Sequence, residues 1–191
     1  MIDNEWWQKL DPQWKQAFGE VFFHHKNDPL PSELESLFQT PVLRLAGPAA
    51  PYPNMSFELT DLSAIKSLVN LEIFICTNHQ ISEIQPLSNL SLLKSLFLLN
   101  NKINSLSGIE NLFGLEQLYL QFNLIESMVA LKSLTRLKEL YIHDNKITSL
   151  DGITEEHEEY LEKFYCLPNA GIRQKEVIRL EREIGIICRK I

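Results

Sequence analysis

Glycine is sparse in this chain, with seven among 191 residues. None falls into a Walker or dinucleotide-binding spacing, so the usual phosphate-cradling signals are missing. Cysteine is scarcer still. Cys76 and Cys166 occupy inward, leucine-like places and Cys188 lies near the end. The three read as small buried hydrophobes, with no metal-ligand or disulfide framework. No apolar run approaches the roughly 20 residues of a membrane-spanning helix. The start, Met-Ile-Asp-Asn-Glu-Trp-Trp, lacks the basic and apolar regions of a secretory signal. Together with the cysteine usage this leads us to expect a cytoplasmic protein. Basic residues are the minority, 18 against 25 acidic, for a net charge of -7 that disfavours a general nucleic-acid binder.

What the chain does have is repetition. Leu68, Leu90, Leu112 and Leu134 recur at 22-residue intervals, each heading the same pattern. Apolar residues return at the fourth, seventh and ninth places, a polar residue at the twelfth, and apolar residues again at the fourteenth, seventeenth and twentieth. The third copy runs Leu112, Leu115, Leu118, Leu120, Asn123, Ile125, Met128, Leu131, and the fourth Leu134, Leu137, Leu140, Ile142, Asn145, Ile147, Leu150, Ile153. The leucine pairs two apart have the period of a strand with one buried face. The later spacing of three suits a tight helical turn. A unit of this kind cannot bury its apolar side alone, so the units must stack into one core with a parallel sheet along one face.

The motif L-x-x-L-x-L-x-x-N-x-I, read directly from Leu93 through Leu96, Leu98 and Asn101 to Ile103, resembles the leucine-rich repeat family. It is similar to the short class of bacterial internalins and of phosphatase-1 regulatory and spliceosomal leucine-rich proteins. The resemblance covers Leu59 to Ile153, with Phe74 and Cys76 in leucine places and His79 where asparagine is expected. It implies an α/β solenoid whose curved parallel sheet commonly binds proteins on its concave face. Asn101, Asn123 and Asn145 fall where the chain leaves each strand and its backbone needs hydrogen-bond partners. Upstream, Leu43-Arg-Leu45 supplies an earlier strand, displaced by the insertion Ala46 to Ser56 with its three prolines. Downstream, Leu161, Phe164, Cys166 and Asn169 restore the motif after two extra residues, giving about six strands in all.

Both ends of such an array expose core and need caps. Residues 1–42 read as a helical cap, 43–170 as repeats and 171–191 as a terminal helical cap, all in one domain. Asp3 precedes the first helix, Asp11 caps a second ahead of Pro12, and Ser32-x-x-Glu35 resembles a capping box. Trp6, Trp7, Trp14, Phe18, Phe22 and Leu37 are expected to cover the first coil. The tryptophan-bearing cap resembles those of some bacterial leucine-rich proteins, which points to a bacterial source. At the other end Val177, Leu180, Ile184, Ile187 and Ile191 form a helical stripe, weakened by Gly185.

Function is sought on the outward side of the strands, because the inward side is committed to core. The residue between the two strand leucines is successively Arg44, Ile75, Phe97, Tyr119, Tyr141 and Tyr165. At about 4.8 Å per strand these make a ladder roughly 25 Å long. Leu99, Gln121, Phe122, His143 and Asp144 follow at the next outward places. The expected binding residues are therefore Ile75, Phe97, Leu99, Tyr119, Gln121, Phe122, Tyr141, His143, Asp144 and Tyr165. Rigid aromatics rimmed by charges of both signs suit a protein or peptide partner, not nucleic acid or a membrane. Cross-strand packing also favours aromatics at such positions. A homodimer through the same patch is the second reading, and a small ligand or reaction centred on His143 with Asp144 the third. The five histidines show no motif around a serine or cysteine nucleophile, so an enzyme, a cofactor and a metal are not expected. His24-His25 beside Lys26 reads as a solvated helix end, and the acidic run around His157 as a solvated turn.

Overall fold

Each repeat closes one coil. The computed structural model describes residues 4–25 and 27–190, so the expectations resting on Asp3, Lys26 and Ile191 lie outside the described residues. Helices α1 (Asn4–Lys9), α2 (Pro12–Phe18) and α3 (Pro31–Gln39) precede strands β1 (Val42–Ala46), β2 (Ile73–Thr77), β3 (Ser95–Phe97), β4 (Gln117–Tyr119), β5 (Glu139–Tyr141) and β6 (Lys163–Leu167). Helix α4 (Gln174–Arg179) and strand β7 (Arg189–Lys190) complete the chain. The seven strands form one parallel sheet in sequence order, and its register aligns Leu96, Leu118, Leu140 and Phe164 inward. Behind the sheet lie short 3-10 turns, such as Ile65–Ser67 and Gln85–Leu87, as the three-residue spacing requires. Buried apolar residues form one continuous cluster from Trp7 to Cys188.

The asparagines act as expected. Asn123 accepts from the Ile103 amide at 3.0 Å and donates to the carbonyls of Leu98 and Leu120 at 2.9 and 3.0 Å, tying its own coil to the one before. His79 does the same work at the array's start: Nδ1 accepts from the Leu59 amide at 3.1 Å and Nε2 faces the Leu45 carbonyl at 3.3 Å. Gly108, at φ 110°, and Gly152, where a Cβ would lie 1.9 Å from the Met128 carbonyl oxygen, are required by backbone approach between coils.

The first cap closes over the core through Trp14, Phe18, Leu34 and Leu37, with Trp14 Nε1 donating to Asp61 at 3.1 Å. Asp11 caps α2 by accepting from the Gln13 amide at 2.8 Å. The expected Ser32–Glu35 capping box is displaced by two residues, to Leu30 and Glu33. Pro31 takes the first helical position, so Glu33 reaches back to the Leu30 amide at 2.7 Å. The insertion 46–56 seats on the free edge of β1. Asn54 accepts from the Ala46 amide and donates to the Arg44 carbonyl, and the Arg44 guanidinium donates to the Tyr52 carbonyl.

The far end departs most from expectation. The terminal helical stripe stops at Gly185, in the left-handed region at φ 84°, leaving Ile187 62% exposed. The chain then turns back, and Arg189 pairs opposite Tyr165 as a seventh strand. Cys166 and Cys188 form a disulfide across this return, with Cα atoms 6.0 Å apart, whereas the sequence suggests no disulfide. Cys76 is buried and free. In the acidic run, His157 is not solvated: it is fully buried, its Nδ1 accepting from the Thr154 amide at 3.2 Å, while the flanking glutamates are exposed.

Candidate recognition face

Parallel register brings the outward residues into one line. Arg44, Ile75, Phe97, Tyr119, Tyr141 and Tyr165 are direct neighbours across β1 to β6, and Arg189 of β7 extends the line. The tyrosine rings stack, with centroids 4.4 Å apart for Tyr119–Tyr141 and 4.6 Å for Tyr141–Tyr165, and Phe97 lies tilted against Tyr119 at 4.7 Å. The Arg189 guanidinium lies 5.9 Å from the Tyr165 ring. Each ring is half-buried, so its faces serve its neighbours and its edge and hydroxyl serve the surface.

Polar rows flank the ladder. Two residues earlier stand Ser95, Gln117, Glu139 and Lys163 in register. Ser95 donates to Gln117 at 2.8 Å. The Tyr119 hydroxyl donates to Glu139, and Lys163 reaches the same carboxylate at 2.9 Å. The Tyr119 bond, with Lys163 beside it, holds Glu139 below the ordinary carboxylate range. Burial, reinforced by Glu139, pushes the Tyr119 phenol up. Farther out, Glu72, Lys94, Glu116, Lys138 and Glu162 alternate in sign from coil to coil. Lys94 meets Glu72 at 2.6 Å and Lys138 meets Glu116 at 2.7 Å. Repulsion between identical residues in adjacent coils is thereby avoided.

On the ladder's other side are Leu99, Gln121, Phe122, His143 and Asp144. Leu99 and Gln121 are half-buried, and Phe122 and Asp144 are exposed. His143, expected to present itself outward, is only 3% exposed. Its ring stands perpendicular to Phe122 at 5.3 Å, and Nδ1 lies 2.7 Å from Asp144. It props the face from beneath. Asn78, Asn100, Phe122 and Asp144 share a left-handed backbone, with φ between 53° and 60°. Neither this recurrent conformation nor the seventh strand with Arg189 was expected from the sequence. The former carries one sequence signal, asparagine at the equivalent places 78 and 100, a residue that tolerates the left-handed region; the latter carries none.

Away from this face, a cavity of about 770 Å³ in the first cap is lined by Trp7, Glu20, His24, His25 and Asp28 among others. Among the described residues no cluster of histidine, cysteine and carboxylates is arranged to hold a metal, and no helix is long and apolar enough to cross a membrane.

Residues 113–155 match the family model for Leucine Rich repeats, two copies. No curated protein matches the chain significantly. Among solved structures, an internalin of Listeria monocytogenes is 26% identical with a TM-score of 0.62, over 78% of this chain and 40% of that one. A leucine-rich repeat protein of Leptospira interrogans is similar in fold, at 22% identity and a TM-score of 0.64, over 85% of this chain and 40% of that one. The leucine-rich repeat ectodomain of a receptor kinase of Arabidopsis thaliana, 22% identical, superposes with a TM-score of 0.50 over 62% of this chain and 66% of that one. The chain thus spans about 40% of the length of each of the first two. Leucine-rich repeats commonly serve as binding modules for proteins. The repeats matched at 113–155 continue into the coils stacked on either side, and the chain has the fold of a leucine-rich repeat solenoid.

Proposed function

We propose that this solenoid works by noncovalent recognition of a protein or peptide across the open face of its sheet, through Phe97, Tyr119, Tyr141, Tyr165 and the neighbouring Leu99 and Phe122. The observation that carries the reading is the half-buried aromatic ladder. Core packing does not require it, because the opposite side of each strand already supplies the buried leucines. Rigid rings offer contact area at low entropic cost, and their hydroxyls accept wet contacts. In this reading no catalysis takes place: His143 is buried against Phe122 and engaged by Asp144. The Cys166–Cys188 pair withdraws the support that the cysteines lent to a cytoplasmic location, since disulfides persist in oxidising compartments.

The test is capture from source-cell lysate by the wild type and by the Phe97→Ser, Tyr119→Ser, Tyr141→Ser variant, both checked for fold by circular dichroism. A partner retained by the wild type and lost by the variant supports the face; equal capture by both removes it. Light scattering on the same pair addresses the homodimer, which predicts a doubled mass for the wild type alone.

A further inference from the structure

We infer that Gln121, Phe122 and Asp144 form a subsite for one basic side chain, best an arginine, carried by the protein or peptide that occupies the open face; this rests on the recognition reading above. Gln121 and Phe122 follow β4 and Asp144 follows β5 in the next coil, where the Phe122 amide bonds the His143 carbonyl at 3.3 Å.

Each has something unmet. Gln121 Oε1 is buried without a hydrogen-bond partner, one of two such side-chain atoms among the described residues, the other being His25 Nδ1 in the first cap. A buried acceptor of this kind calls for a donor. Asp144 is the second acceptor. Glu72, Glu116 and Glu139 on this face each hold a lysine, whereas the Asp144 carboxylate is bonded to His143, with no lysine or arginine among the described residues at ion-pair distance. Phe122 is the third. The residue is 47% exposed, and it stands in a left-handed backbone place that Asn78, Asn100 and Asp144 fill in other coils. His143, perpendicular to it, fixes its orientation.

A planar guanidinium meets all three needs at once. It stacks on an aromatic ring, and its several N–H groups can serve two oxygen acceptors of different residues, Asp144 directly and Gln121 once its amide turns towards the ligand. A neutral apolar side chain would cover Phe122 and leave Gln121 unpaired. A net charge of -7 favours the approach of a basic segment.

The experiment is a titration of the full chain with N-acetyl-arginine amide, N-acetyl-lysine amide and N-acetyl-citrulline amide, followed by amide and side-chain NMR shifts. Arginine amide is expected to perturb Gln121, Phe122 and Asp144 saturably. Citrulline amide, isosteric but uncharged, is expected to bind roughly three- to tenfold more weakly. Asp144→Asn and Phe122→Asn both install a residue that other coils carry at this place, so both should fold, and each should abolish the preference for arginine over citrulline. Lysine amide binding as well as arginine amide at the same residues supports a basic subsite without guanidinium selectivity. Equal affinity for arginine and citrulline, or shifts centred on Glu72 and Lys94, overturns the inference. If the subsite fails while the triple aromatic variant still loses its partner, only the subsite falls. If arginine amide maps to Phe122 and Asp144 while the triple variant keeps its partner, the recognition reading falls instead.

Discussion

At φ 60°, Phe122 adopts a conformation in which a Cβ crowds the following carbonyl oxygen, a cost that asparagine tolerates through local hydrogen bonding. Phe122→Asn is therefore expected to stabilise the fold by about 1 kcal/mol, read as a higher denaturation midpoint at unchanged m-value. A lower midpoint would mean that the ring's contact with His143 outweighs the backbone strain. His79 and His157 make a second residue-scale case. Burial holds both imidazoles below the ordinary histidine range, against the opposing effect of backbone bonds to Leu45 and Leu131. The unfolded chain takes up these protons near pH 6.5, before the folded chain does. Their contribution is thus complete above about pH 6.5 and is lost as pH falls towards the folded values. We expect Tm to hold steady from pH 8 to 7 and to decline from 6.5 to 5, with a shallower decline in His79→Asn. An identical decline in that variant would exclude His79 as a source. The sequence already marks His79 as the one departure from asparagine; only the structure shows its Nδ1 accepting the Leu59 amide, since tautomer and partner depend on the neighbouring coil.

Among the elements, β7 has the weakest hold. It is two residues long, pairs with β6 through a register irregularity, and is tied down by Cys166–Cys188 and by Arg189 donating to the Glu162 carbonyl at 3.0 Å. A strand this short cannot hold an edge by hydrogen bonds alone. Cys188→Ser should therefore accelerate amide exchange across residues 186–190 and leave residues 73–145 protected. Uniform acceleration along the whole chain would instead place the return strand inside the cooperative unit. The apolar stripe through Ile184 and Ile187 reads as a longer helix, because spacing of three or four residues is the only local signal present. The reversal depends on Gly185 at φ 84° and on a cysteine partner that lies 22 residues away in sequence. In the repeats the reverse holds: the buried and exposed sides of β3, β4 and β5 are legible because each strand alternates within a few residues.

Over the whole molecule, one core runs from the tryptophan cap to the last coil, and each coil is covered by its neighbours. Deleting residues 1–40 would uncover the surfaces that Trp14, Phe18 and Leu37 now close. The truncated chain is expected to bind a hydrophobic dye and to self-associate, as read by fluorescence and light scattering. A monomeric, dye-silent product would show that the first coil is self-sufficient. The alternating ladder of Glu72, Lys94, Glu116 and Lys138 adds little to stability because these pairs are solvent-exposed.

The repeat period, the inward leucines, the asparagine positions and the outward aromatic line were determined by the sequence by itself, because each follows from a spacing of two, three or 22 residues that the chain carries locally. Tertiary structure alone decided what those residues meet. Stacking set the ring-to-ring distances from Phe97 to Tyr165 and sank His143 beneath Phe122. It also left Gln121 Oε1 unpaired and brought Cys188 back to Cys166. These are relations between neighbouring coils or between the last coil and the returning chain end, set by packing across separations of about a repeat, and a local pattern carries no information about which side chain a stacked neighbour will bury.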